Sequence, residues 1–434
     1  MTTTSTTRSI RLDALTRVEG EGGLLIELRD GQLQKVVLDI YEPPRFFEAF
    51  LRGRSFREVP DITARICGIC PVAYQMSSVH ALESVLGITP TPEVRALRRL
   101  LYLAEWIESH ALHIYLLQAP DFFGMESVVA LAAQQPDLVR QGLQLKKVGN
   151  ELMVLLGGRS VHPVSVCVGG FYKLPVPSEL QAFRERLEWA LTTSLETAKF
   201  VSSLPLPDFQ ADYEFVALSH PNEYAMNEGR IVSSAGLDIA VEDYEQKFTE
   251  QHVPQSTALH SVRSERGTSY MVGPLARVNL NFRQLTPLAR DAAENSGITW
   301  PSFNPYAGIV ARAIELVHAC EESLRIVNSY QQQAKCDFDS TIRAGEGCAA
   351  TEAPRGLLYH RYRITEKGLV EFAKIVPPTA QNYRRMEDDL RLLIPKILQM
   401  TDEDIAGKCE QLVRNYDPCI SCSTHFLKLQ IQRF

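Results

Sequence analysis

The sequence predicts a mainly α chain of α+β class, a long-helix bundle core with small peripheral β-sheets and hairpins. Three observations support this: one long unbroken helical period, four further helical patterns, and two hairpin signals at opposite ends of the chain. Residues 92–118, "PEVRALRRLLYLAEWIESHALHIYLLQ", repeat apolar side chains at helical spacing with no internal Gly or Pro, as a core helix does. Further helical patterns cover residues 125–156, 178–203, 305–333 and 382–400. Residues 22–41, "GGLLIELRDGQLQKVVLDIY", alternate in polarity around Asp30-Gly31, which predicts a β-hairpin. A second hairpin is expected over residues 357–376, turning at Glu366-Lys367-Gly368. Residues 205–300 between these blocks are mixed, with more turns and β-branched residues.

No repeat, low-complexity tract or linker divides the 434 residues, which are read as a single domain. The polar, Thr-rich start predicts a disordered tail over residues 1–9, without the apolar segment of a secretion signal. At 45% hydrophobic and 22% charged the composition is that of a soluble globular protein, and no apolar run is long enough to span a membrane. A net charge of -7 argues against broad nucleic-acid binding, which needs a basic face.

Nine cysteines spread over this length make a poor disulfide framework. Cys167, Cys320, Cys336, Cys348 and Cys409 lack a neighbour at ligand spacing and read as buried free thiols. The other four form two Cys-x-x-Cys pairs, Cys67 with Cys70 in "RICGICPVAY" and Cys419 with Cys422 in "DPCISCSTHF". A pair at a helix start faces two sulfurs one way and gains from the helix dipole, with Asp61 and Thr63 as expected caps. Four thiolates suit a soft metal such as zinc, nickel or iron. Nearly the whole chain separates the pairs, whereas zinc ribbons gather theirs within a few tens of residues. A site joining the two chain ends reads as functional.

The flanks of these pairs resemble the large, catalytic subunit of [NiFe]-hydrogenases. "RICGIC" and "DPCISCSTH" are similar to that family's N- and C-terminal signatures. "TRVEGEGG" (16–23), "GGRSVHP" (157–163), "APRG" (353–356) and "PTAQN" (378–382) resemble its intermediate motifs, in family order. The resemblance implies the large-subunit fold and reversible heterolytic cleavage of H2. It implies nickel held by Cys67 and Cys419 as terminal ligands and by Cys70 and Cys422 as bridges to an iron carrying two cyanides and one carbon monoxide. Such cleavage needs a metal pair for the hydride half and a base for the proton. Cys419 is expected to be that base, with Glu19 relaying the proton outward. The resemblance places the Arg355 guanidinium above the open metal face, with Asp417 and Asp121 expected to orient it. It also implies that Ala353, Pro354, Pro378 and Thr379 line the pocket, Thr379 donating a hydrogen bond to a cyanide. A magnesium ion is implied at Glu48 and His425. His110, His113 and His162 are read as structural hydrogen-bonders.

Two features depart from the family pattern. Tyr74 stands where many members have histidine, and a phenol neither titrates near neutrality nor matches imidazole's geometry. Residues 426–434 extend past His425 and resemble the tail that a maturation endopeptidase removes. Two electrons leave with each H2, yet the remaining cysteines show no iron–sulfur spacing. An iron–sulfur small subunit is therefore implied as partner, with flavin- and NAD(P)-binding diaphorase subunits, as in the cytoplasmic bidirectional group. Competing readings are a hydrogen sensor, separated by its turnover, a zinc-stapled structural protein, separated by metal analysis, and a complex I-like quinone-site subunit. The last lacks the four cysteines.

Overall fold

The computed structural model describes residues 7–331 and 342–424. The helix Pro92–Ala111 forms its centre, and every residue from Leu97 to Ala111 is buried. It opens on a favourable cap, the Thr91 side chain accepting from the Val94 amide with Pro92 in the first turn. It then widens into a π-helical stretch, Leu112–Gln118. Helices Pro136–Gly157 and Gly308–Ser329 pack against it, and Arg184–Ser202 lies against the latter. Their apolar faces form one large core that includes all four paired cysteines.

Three three-stranded antiparallel sheets and two short strand pairs surround the bundle among the described residues. The first expected hairpin is Gly22–Arg29 with Gln32–Ile40, and Thr7–Leu12 adds an outer strand to it. Thr7 to Ser9, assigned to the disordered tail, therefore belong to a sheet because they find a partner strand. The second hairpin is Gly356–Ile364 with Val370–Val376, completed by Gly345–Ala353. Helix Pro71–Leu86 lies directly on this sheet. Contact is close enough that a Cβ at Gly347 would stand 2.7 Å from the Ala81 carbonyl oxygen.

The pattern expected over 125–156 is two helices, Val128–Gln134 and Pro136–Gly157. Pro136 lacks an amide proton and pushes Gln135 out of helical geometry, so the chain restarts there. Residues 178–203 likewise form Pro177–Ala182 and Arg184–Ser202. Helix Pro378–Ile397 starts four residues ahead of the expected boundary, because Pro378 and Thr379 already belong to its first turn.

Candidate metal centre

Sulfurs from the two ends of the chain meet in the interior: Cys67, Cys70, Cys419 and Cys422 are all buried, and their Sγ atoms lie within 4.8 Å of one another. Cys67 and Cys419 approach to 3.6 Å, and all four are free thiols. Cys67 is in extended backbone ahead of helix Pro71–Leu86, and only Cys70 borders that helix, as its N-cap residue. The amides of Ile69 and Cys70 donate to the Cys67 sulfur at 3.3 and 3.2 Å. The expected caps do not cap. The Thr63 hydroxyl turns back to the Val59 and Pro60 carbonyls, and Asp61 sits in the short helix Val59–Thr63, which has no side-chain cap bond. Glu105 caps the Cys70 helix instead, accepting from the Val72 amide at 2.6 Å and the Ala73 amide at 3.1 Å. Burial drives its carboxyl well above the ordinary range.

The second half depends on distant chain. Glu19 pairs in parallel with Cys419, donating its amide to the Pro418 carbonyl and accepting from the Ile420 amide at 2.8 Å. Its carboxylate accepts from the Cys419 thiol at 2.9 Å and from the Ser421 amide at 3.2 Å. Gly20, at φ +89°, permits this approach, because a Cβ there would stand 2.7 Å from Ile420 Cβ and 2.8 Å from the Ser421 nitrogen. Thr379 Oγ1 accepts from the Cys419 amide at 3.0 Å, and the Ser421 hydroxyl donates to Glu42 at 2.9 Å. Arg45 joins the halves, donating to the Ile66 carbonyl at 2.7 Å and to the Ser421 carbonyl.

Arg355 closes the site. Its Nη1 lies 3.8 Å from the Cys70 sulfur, while Nε and Nη2 donate to the Asp417 carbonyl at 2.7 Å and carboxylate at 3.1 Å. Burial opposes ionisation of Asp417, but Arg355, His113 and Arg312 outweigh it and hold the carboxyl below its usual value. Burial also opposes ionisation of Cys67, yet hydrogen bonds from Cys419, Cys422 and Cys70 and the Arg355 charge drive its thiol well below the ordinary range. Cys419 and Cys422 are pushed up, burial first. This cluster accepts one negative charge readily and further ones only with a cation among the sulfurs, since coordination deprotonates thiols outright. Four convergent soft donors, in a buried pocket with one fixed cation at its edge, fit a thiolate-held transition-metal centre.

Comparison with known proteins agrees. The family model described as nickel-dependent hydrogenase matches residues 45–141 and 235–425. The chain belongs to the nickel-dependent hydrogenases. The sulfhydrogenase 1 subunit alpha of Pyrococcus furiosus is 34% identical, covering 97% of this chain and 98% of its own. The NAD-reducing hydrogenase HoxS subunit beta of Cupriavidus necator is 30% identical, covering 97% and 95%. A solved NAD+-reducing [NiFe]-hydrogenase in the H2-reduced state superposes with TM-score 0.81 at 27% identity, over 97% of this chain and 100% of that one. The large-subunit fold, the hydrogenase activity and the role of catalytic subunit follow, and the four-cysteine cluster supports a nickel–iron centre.

Several expected residues of this hydrogenase take other places. Asp121 does not orient Arg355: it binds Arg17 at 2.5 Å and Arg414 at 2.8 and 2.9 Å, tying the Glu19 segment to the helix before Asp417. Ala353 and Pro354 act through backbone carbonyls, both held by Arg277. Pro378 opens the helix that carries Thr379, and both are buried. Glu48 accepts from the Ile375 amide at 2.8 Å, and His425 lies outside the described residues, as does Cys336. Tyr74 is buried one helical turn past Cys70, and its hydroxyl finds no partner among the described residues. His110, His113 and His162 are hydrogen-bonded to Glu315, the Arg414 carbonyl and the Ala64 carbonyl, each within 2.9 Å. Cys320 and Cys409 are buried thiols pushed up by burial to about 12, as inert thiols are.

Glu105, Glu42, Ser421, Arg45 and Arg277 escaped the sequence reading. Glu105 carried one signal, a carboxylate within the apolar run "LAEWI". The rest pair with other elements of the chain, from tens of residues away for Arg277 to hundreds for Glu42 with Ser421.

Proposed function

We propose that the hydrogenase cleaves H2 reversibly at a nickel–iron pair, with Cys67 and Cys419 as terminal nickel ligands and Cys70 and Cys422 as bridges to iron. Two cyanides and one carbon monoxide complete the iron. When bound, this centre supplies the two-electron half of the reaction. The protein supplies the proton path, and one contact supports the whole reading: the 2.9 Å hydrogen bond from Cys419 Sγ to Glu19. The Cys419 sulfur takes the proton and Glu19 receives it, a transfer within hydrogen-bond reach. Ser421 spans from Glu19 to Glu42 at 3.2 and 2.9 Å, which marks the way outward. Arg355 holds a fixed positive charge beside Cys70, steadied by Asp417, where it stabilises charge at the cluster. Thr379 uses an acceptor lone pair on Cys419, leaving its hydroxyl proton for a cyanide.

Electrons pass to an iron–sulfur small subunit. Among the described residues no second group of three or more His, Cys, Asp or Glu ligand atoms gathers. The names of the NAD-reducing relatives support diaphorase subunits that bind flavin and NAD(P), and no helix of the described residues is long and apolar enough to cross a membrane. Placement in the cytoplasm is part of the same reading. Glu48 and His425 hold a magnesium ion, and an endopeptidase removes residues 426–434 after metal loading.

The test is metal analysis and infrared spectroscopy of the complex purified from its native host. Nickel and iron in equal amounts, with stretching bands of bound CO and CN, are expected. Zinc with neither nickel nor iron overturns the reading.

A further inference from the structure

Arg355 stands on an unusual support. Ala353 pairs with Gly356, so Pro354 and Arg355 form a two-residue hairpin tip. Hairpin tips normally face water, which satisfies their carbonyls. This one is buried, Ala353 at 1% and Arg355 at 2% exposure, so its carbonyls need internal donors.

Arg277 provides them. Its Nη1 donates to the Ala353 carbonyl at 2.8 Å and its Nη2 to the Pro354 carbonyl at 2.9 Å. Nε and Nη2 also reach the two Glu315 oxygens at 2.7 Å each, and Nη1 reaches Glu352 at 3.0 Å. A guanidinium has five N–H donors, and these contacts use them all. Glu315 is fixed in turn by His110 at 2.9 Å and the Tyr224 hydroxyl at 2.7 Å. Arg277, Glu315 and Glu352 are each 0% exposed. The backbone is tied as well: the Arg277 amide donates to the Gly273 carbonyl at 2.9 Å, and a Cβ on Gly273 would stand 2.9 Å from the Arg355 carbonyl oxygen.

We propose that Arg277 is a positioning residue for the metal centre, its two bonds to the hairpin tip setting where the Arg355 guanidinium stands beside the Cys70 sulfur. The proposal rests on the reading that Arg355 serves that centre. Lysine in place of Arg277 keeps the charge but offers three donors on a flexible stem, so it cannot hold both carbonyls and both glutamates.

The test compares Arg277→Lys, Arg355→Lys and the double variant in the metal-loaded complex, reading proton–deuterium exchange, nickel content and the nickel electron paramagnetic resonance signal. Arg355→Lys is expected to lower exchange about 100-fold. Arg277→Lys is expected to lower it about 10- to 100-fold with nickel content unchanged. Its resonance signal should shift in the same sense as that of Arg355→Lys. The double variant should be no slower than Arg355→Lys alone, because one residue acts through the other. Additive losses, or an unshifted signal in Arg277→Lys, overturn the proposal. Should Arg277→Lys not fold, Glu352→Gln removes one partner charge and is expected to slow exchange several-fold, only while Arg355 is present. Equal loss in both backgrounds overturns it. Full exchange in Arg355→Lys removes the underlying reading instead.

Discussion

The two halves of the sulfur cluster are built differently. Around Cys67 and Cys70 the support is mainly local: the loop's own amides bind the Cys67 sulfur, and a buried helix begins at Cys70, its start capped by Glu105 from the next long helix. Around Cys419 and Cys422 the described chain forms only the short 3-10 turn Ser421–Ser423, and the loop is held by Glu19 and Arg45 from the other end of the chain and by Thr379. The first half is a socket that a helix keeps rigid. The second is assembled from distant segments, and the only carboxylate in hydrogen-bond contact with a cluster sulfur among the described residues belongs to it. On the proposed reading, the first half orients ligands and the second half moves the proton.

The largest effect should come from breaking the assembled half at its sulfur. Cys419→Ser is expected to abolish H2 oxidation and proton–deuterium exchange while circular dichroism keeps most of its helical signal. A hydroxyl stays protonated where a thiolate would hold metal and accept a proton. Measurable turnover in a nickel-loaded Cys419→Ser enzyme would contradict the division of labour between the halves. Glu19→Gln comes next. Its amide still accepts from the Ser421 amide but takes no proton, so exchange should slow about 100- to 10,000-fold, the usual worth of a placed acid–base group. Nickel content should stay constant, and unchanged exchange would move the proton exit elsewhere.

Legibility in the sequence follows the same division. The Cys67 side, both hairpins and the buried helix at 92–118 are local features, and local periodicity and spacing revealed them. Pro136 shows a limit of periodicity, since the apolar pattern crosses it while the backbone cannot. The site's two ends were recognisable because cysteine pairs are rare and their flanks resemble a family. Glu105 as a cap, Arg277 under the hairpin tip and Asp121 on Arg17 and Arg414 depend on pairings between separate elements that sequence spacing does not specify. A buried charge in sequence says that a partner exists without saying which. Asp121 was assigned to the wrong arginine for that reason.

A smaller effect should follow from loosening the halves from each other. Arg45 reaches the Ile66 carbonyl, ahead of Cys67, and the Ser421 carbonyl, between the two later cysteines. Arg45→Ala removes both donors while leaving every sulfur and Glu19 in place. Nickel retention against a chelator is expected to fall about 10- to 100-fold, as when supporting partners of metal ligands are lost. Per loaded site, exchange should change far less. A loss of exchange with full nickel retention would place Arg45 in the proton path instead.

The smallest effect is expected at Tyr74, inside the self-supported half. Its hydroxyl is buried without a partner among the described residues, so it contributes no hydrogen bond to the socket. Tyr74→Phe deletes a polar atom that burial penalises, so chemical denaturation should show stability unchanged or raised by up to about 1 kcal/mol. Burial first, then the charges of Cys422 and the other cysteines, push its phenol well above the ordinary value of 10.0. It therefore stays protonated throughout the neutral range, where histidine would titrate, and the difference between Tyr74→Phe and the parent should be flat from about pH 5 to about pH 9. A sloping difference would mean that the phenol ionises in that window. The rigid half would then have a proton-active group, and the contrast between the two halves would no longer hold.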